Sequence, residues 1–135
     1  MLLLDTHVIL WLDAGERLAA EAIAAIEAAR PAGGVLVSPV SAWEIGMLVR
    51  KGRITLDCDP ARWFGRFLDQ AGIRLAPLTV EAAAGSSSLP EPCHGDPADR
   101  MLIATARHLG LPLMTRDRKI LDYSTATGAV RAIGC

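Results

Sequence analysis

The run His94-Gly95-Asp96-Pro97-Ala98-Asp99-Arg100-Met101-Leu102-Ile103-Ala104-Thr105-Ala106, closed by Gly110-Leu111-Pro112-Leu113-Met114-Thr115-Arg116-Asp117, constrains this chain more than any other stretch. Its order is loop, helix, turn, strand, acid. Asp96 suits a helix N-cap, Pro97 the first helical position, and Asp99 the third, so the helix opens on two carboxylates. Ala98, Met101, Leu102, Thr105 and Leu109 recur at helical spacing and predict a buried face. Gly110 stops the helix, and residues 111–115 form a short apolar run of the kind found in buried parallel strands. Asp117 emerges just past that strand.

The same unit occurs earlier in the chain. Val35-Leu36-Val37 reads as a strand, Ser41 as the N-cap of a helix, and Glu44 as the last member of a Ser-x-x-Glu capping box ahead of Ile45, Met47, Leu48 and Val49. At the start, Leu2-Leu3-Leu4 is a third apolar strand, followed directly by Asp5 and Thr6. In an open parallel sheet, strand C-termini and the helix N-termini that follow them share one edge, where ligands bind. Asp5, Glu44, Asp99 and Asp117 are therefore expected to converge there.

The remaining elements alternate in the same way. Helices are expected over 6–13, 18–29 and 60–71, the last behind an Asp59-Pro60 cap, and a strand over 73–77. Thr79 opens a short helix that decays into Gly85-Ser86-Ser87-Ser88, a turn carries Ile120, Leu121 and Tyr123, and residues 130–133 form a last strand. This pattern predicts an α/β fold, a three-layer α/β/α sandwich around a central parallel sheet of four to five strands, with residues 1–135 as a single domain. A mean hydropathy of +0.30 with 21% charged residues suits a packed core. No apolar run reaches the roughly 18 residues of a membrane span. The opening leucines lack a basic leader and are broken by Asp5, so a cytoplasmic location with no membrane partner is expected. Cys58, Cys93 and Cys135 are odd in number and carry no CxxC spacing, which favours neither disulfides nor zinc. A net charge of -1 means that any nucleic-acid contact must use a local basic patch.

Each acid has a structural reading beside the chemical one. Glu44 can serve only as a cap, Asp96 and Asp99 as helix-dipole acids, and Asp117 as a surface partner of Arg116 or Arg118. Asp5 is harder to explain so, because a carboxylate directly after three leucines loses hydration unless it is paired or metal-bound. Four carboxylates brought together stay ionised only around a cation, and hard oxygen ligands without a His/Cys cluster favour Mg²⁺ or Mn²⁺ over Zn²⁺. Such a site suits phosphodiester hydrolysis.

Leu3-Leu4-Asp5-Thr6-His7, Ser38 to Glu44 with Trp43-Glu44-Ile45, the 94–106 run, and Thr115-Arg116-Asp117 occur in an order that resembles the PIN-domain ribonucleases, and among them the VapC-like toxins of type II toxin–antitoxin pairs. The resemblance spans nearly the whole chain. It implies a PIN-like sandwich and a metal-dependent endoribonuclease toxin with Asp5, Glu44, Asp99 and Asp117 as its catalytic acids. By analogy Asp5 and Asp99 hold Mg²⁺ or Mn²⁺ directly, Glu44 and Asp117 partly through water, and Thr6 or Thr115 orients a ligand or the phosphate. It further implies an RNA substrate, transfer or ribosomal, a cognate antitoxin that covers the groove, and a homodimer. Two departures stand out: Gly95 replaces a frequent arginine and Ala98 a frequent aromatic, which bears on substrate preference more than on chemistry. Asp99 is favoured over Asp96 as the ligand because capping occupies the Asp96 carboxylate.

Arg50, Lys51, Arg53, Arg100, Arg116, Arg118 and Lys119 are the cations available to RNA, with Arg100 and Arg116 nearest the acids in sequence. His94 is not expected to be catalytic. Trp11, Trp43 and Trp63 lie in apolar helical stripes and are expected in a core or interface, and Phe64 and Phe67 add apolar surface beside Trp63 that suits a dimer or an antitoxin. A haloacid-dehalogenase phosphatase needs an Asp where His7 stands. A receiver-like phospho-acceptor needs adjacent acids after its first strand. An idle interaction module on the PIN scaffold has no use for four acids.

Overall fold

The computed structural model describes residues 1–135. Five strands, β1 (Leu2–Leu4), β2 (Val35–Val37), β3 (Ile73–Leu75), β4 (Leu113–Thr115) and β5 (Ala132–Gly134), form one sheet in the order β3-β2-β1-β4-β5. Every pairing is parallel. The chain builds outward from β1 to β3 and then returns to the other side of β1 with β4. The topological switch point therefore lies between β1 and β4, where open parallel sheets leave a crevice beyond the strand C-termini.

Seven α-helices cover the sheet: α1 (Thr6–Ala14), α2 (Ala20–Ala29), α3 (Pro39–Arg50), α4 (Pro60–Leu68), α5 (Val80–Gly85), α6 (Pro97–Leu109) and α7 (Arg118–Thr127). Alternation along the strands divides the core in two. Leu3, Leu36 and Leu113 point to one face and pack with α5, α6 and α7. Leu2, Leu4, Val35, Val37, Ile73 and Met114 point to the other and pack with α1, α2 and α4. α3 serves both faces, Val40 joining the first cluster and Ile45 the second. This is the expected three-layer α/β/α sandwich.

Several local expectations change. The N-cap of α3 is Ser38, whose hydroxyl accepts from the Val40 N–H with Pro39 behind it, and Ser41 lies fully buried inside the helix. Ser38-Pro39 offers the start an extended cap and a residue with no N–H to satisfy, which a cap at Ser41 would waste. Glu44 is therefore an interior helical residue. The turn expected after Asp117 is the ten-residue helix α7, with Ile120 and Tyr123 in the core. Leu109 is 37% exposed, while Ile103, Ala104 and Ala106 are buried beside Ala98, Leu102 and Thr105, so α6 is enclosed over a wider arc than one stripe. Trp63, Phe64 and Phe67 are core residues with no apolar surface to spare.

Candidate active site

Of the helices that begin at the C-terminal edge of the sheet, three are capped by acids. Asp5 ends β1 and accepts from the Thr6 N–H at 2.7 Å. Asp96 caps α6 by accepting from the Asp99 N–H at 3.0 Å. Asp117 follows β4 and accepts from the Lys119 N–H at 2.8 Å. The positive ends of these helices favour negative charge at this edge. Glu44, more than one turn into α3, and Asp99, in the first turn of α6, add two carboxylates.

Asp5, Glu44, Asp96, Asp99 and Asp117 line one cleft of about 340 Å³, with His7, Trp11 and Arg116 on its walls. Convergence of the four acids, expected from strand and helix ends alone, is what the structure has. No three His, Cys, Asp or Glu side chains already close into a metal-binding group. The acids face one another across open space.

Hydroxyl groups fix the carboxylates. Thr115, fully buried, donates to Asp5 Oδ2 at 2.7 Å and accepts from the Asp117 N–H at 3.0 Å, so one side chain ties two of the acids together. Thr6, also buried, donates to Glu44 Oε1 at 2.5 Å. Its oxygen lies 2.9 Å from the Ser41 hydroxyl. A hydroxyl has a single proton, so Ser41 donates in that second bond. Both threonines thus hold acids, so of the two expected roles, orienting a ligand or orienting the phosphate, the hydroxyls are engaged in the first.

Burial pushes the Asp5 carboxyl up, opposed by the Thr115 hydroxyl, the Thr6 N–H and the charge of His7. Burial pushes Glu44 up to about 7, against its Thr6 hydrogen bond and reinforced by repulsion from Asp5, Asp99 and Asp96. Asp99 is pushed up to about 6 by burial, against its bond to His94 and with Asp5, Asp96 and Asp117 adding repulsion. The common cause is burial, reinforced by repulsion among the carboxylates. Such acids can gather a cation or hold protons near neutral pH.

His94 is a functional neighbour that sequence reasoning set aside. Its Nε2 lies 2.9 Å from Asp99 Oδ2, with both side chains less than a fifth exposed. A histidine five residues before an acid, across a capped turn, was the available signal. Arg100, expected at the substrate, does not line the cleft. Its guanidinium donates to the carbonyls of Ser86, Cys93 and His94, and so fastens the segment that carries His94. Arg116 does line the cleft, with its guanidinium 4.0 Å above the Trp11 ring. Asp117 makes no ion pair with Arg116 or Arg118; Arg118 reaches Asp122 instead, at 4.0 Å. Trp43, expected in a core or interface, is 57% exposed.

The PIN domain family model matches residues 2–125. The chain is 35% identical over 122 residues to Ribonuclease VapC22 of Mycobacterium tuberculosis (strain ATCC 25618 / H37Rv), covering 90% of each protein. Its fold is similar to a chain in the crystal structure of VapBC2 from Rickettsia felis bound to a promoter DNA fragment, with TM-score 0.70, 11% identity, and coverage of 98% of this chain and 97% of that one. It is likewise similar to a chain of a toxin–antitoxin complex from Klebsiella pneumoniae, with TM-score 0.64, 20% identity, and coverage of 98% and 96%. The β3-β2-β1-β4-β5 sheet, the acid-lined switch point and these matches agree on one conclusion: the chain belongs to the PIN domain family.

Proposed function

We propose that the chain is a metal-dependent endoribonuclease toxin that hydrolyses RNA phosphodiester bonds and is neutralised by a cognate antitoxin. The observation that carries this reading is the gathering of Asp5, Glu44, Asp99 and Asp117 in one cleft at the switch point of the sheet. It is supported by a relative called a ribonuclease over nine-tenths of both proteins, and by toxin–antitoxin complexes that share the fold. An idle scaffold would have no reason to keep the carboxylates of Asp5, Glu44 and Asp99 desolvated in one cleft.

The residues fit Mg²⁺ or Mn²⁺. The donors are carboxylate oxygens, and burial with mutual repulsion pushes Glu44 and Asp99 up, a repulsion that a hard dication among them would relieve. Asp5 and Asp99 would hold the ion directly, Glu44 and Asp117 through water. Asp96 is the less favoured ligand beside Asp99; its cap bond alone does not decide this, since Asp5 and Asp117 also cap helices and a carboxylate oxygen that accepts one hydrogen bond keeps a lone pair for an ion. When bound, the ion supplies a polarised water as nucleophile and a Lewis acid at the phosphate oxygen. Thr115 keeps Asp5 and Asp117 in register and Thr6 aims Glu44, while Arg116 brings positive charge to the cleft wall for the phosphate. Arg100 is a positioning residue that holds the 86–94 segment, and through it His94 against Asp99. The whole chain, 1–135, acts as one domain, as a homodimer in the cytoplasm, on transfer or ribosomal RNA.

The test is cleavage of RNA by the purified chain with Mn²⁺ or Mg²⁺, against EDTA, with Asp5→Asn alongside. The expected outcome is cleavage only with metal and a loss of about 100-fold or more in Asp5→Asn. Cleavage that survives both treatments overturns the mechanism.

A further inference from the structure

Resting on the ribonuclease reading, we propose that single-stranded RNA leaves the acidic cleft across the C-terminal end of α3, its phosphates on Lys51 and Arg53 and a base against Trp43. Two grooves adjoin the cleft, and His7 is common to both and to the cleft itself. One continues from Glu44 and Asp96 past Trp43 to Lys51 and Arg53. The other runs past Trp11 and Trp63 to Asp13, Glu16 and Asp57, with Arg66 at its side.

Volume favours the second groove, about 490 Å³ against about 280 Å³. Charge favours the first, and for a polyanion charge decides. In the second groove Arg66 is bound to Asp57 at 2.6 Å, which leaves Asp13 and Glu16 uncompensated. In the first, Lys51 and Arg53 are exposed, and neither pairs with a carboxylate. The acids of the first groove, Glu44 and Asp96, are shared with the cleft, where a bound dication would offset them.

Trp43 supplies the second observation. It is 57% exposed on α3, one residue from Glu44, although a tryptophan contributes most to a fold when enclosed. An open indole beside unpaired cations is the arrangement by which proteins hold unpaired bases by stacking and their backbone by charge. The path is one-sided: RNA on one side of the scissile phosphate is gripped, and RNA on the other meets carboxylates.

The test is fluorescence anisotropy of labelled single-stranded RNA on the full chain, with Ca²⁺ in place of Mn²⁺, across a salt series, and steady-state cleavage with Mn²⁺ in parallel. The double variant Lys51→Gln/Arg53→Gln is expected to weaken binding about tenfold at low salt and to flatten the log Kd against log salt slope by about 1.4. Its KM rises with kcat unchanged. Trp43→Ala weakens binding about fivefold or more, and Trp43→Phe restores most of it. Arg66→Gln, in the rejected groove, binds as the unaltered chain does. Binding by the double variant within about twofold of the unaltered chain, or equal weakening by Arg66→Gln, overturns the path. So does a Trp43→Ala chain that changes its sedimentation and keeps its RNA affinity, since the face would then join two copies of the chain. An unaltered chain that neither binds nor cleaves RNA sinks the ribonuclease reading itself, whereas one that cleaves while the double variant binds equally well sinks only the path.

Discussion

A single hydroxyl, that of Thr115, fixes two acids of the cleft, because it donates to Asp5 and accepts from the Asp117 N–H. Thr115→Val keeps the shape and removes both bonds, leaving the buried Asp5 carboxylate with the Thr6 N–H alone. The expected cost is about 1 to 3 kcal/mol in urea denaturation, with a cleavage rate lower by about tenfold or more, and Thr115→Ser restoring both. The raised Glu44 and Asp99 make a second expectation, whose sign follows from proton linkage. Between the ordinary carboxylate values, 4.5 and 3.8, and the folded values, about 7 and about 6, the folded chain holds protons that the unfolded chain has released. Their contribution to stability is therefore full below that window and lost as pH rises through it. The metal-free chain should melt at a lower temperature at about pH 7.5 than at about pH 5, Glu44→Gln should flatten the dependence, and Mn²⁺ should raise the melting temperature most at the higher pH. A metal-free chain that gains stability across that range contradicts the account of these acids.

At the scale of elements, what was legible in the sequence is what local chemistry dictates. Asp96-Pro97 starts α6 and Gly110, at φ 67°, stops it, because cap, ring and left-handed turn are decided within a few residues. Ser-x-x-Glu, a local rule, predicts the start of α3 at Ser41, and the contacts that overrule it, Ser41 with Thr6 and Thr6 with Glu44, join residues more than thirty positions apart. The few apolar positions of α7 predict only a turn, and packing with α6 in one core cluster supplies what its own stripe lacks. Exchange at the caps separates the two serines: Ser38→Ala should lower stability by about 1 kcal/mol with cleavage retained, while Ser41→Ala should lower cleavage through Glu44. Gly72, before β3, has φ 82°, and a Cβ there would meet the Arg30 backbone. Gly72→Ala should cost about 1 to 3 kcal/mol by denaturation and leave the activity of the folded fraction unchanged, since β3 is the edge strand farthest from β4.

For the whole molecule, the sheet order brings Asp5, Glu44, Asp99 and Asp117 together, and this much of the site was readable because strand C-termini and helix N-termini share an edge in any parallel α/β sheet. What the edge rule does not reveal is where a loop side chain turns. His94 against Asp99, Arg100 on the Ser86, Cys93 and His94 carbonyls, and the open face of Trp43 all depend on how separate segments lie over one another. As a toxin the intact chain should arrest growth when expressed without its partner, and Asp5→Asn should relieve the arrest at equal protein level, a comparison made by growth curves with an immunoblot. The central claim, that four remote acids meet around one divalent ion, is tested most directly by an anomalous difference map from crystals grown with Mn²⁺. The account predicts a single strong peak in the cleft, with Asp5 and Asp99 oxygens at about 2.1 Å and Glu44 and Asp117 reaching it through water. A map with no peak there, or with the ion held away from both Asp5 and Asp99, would contradict it.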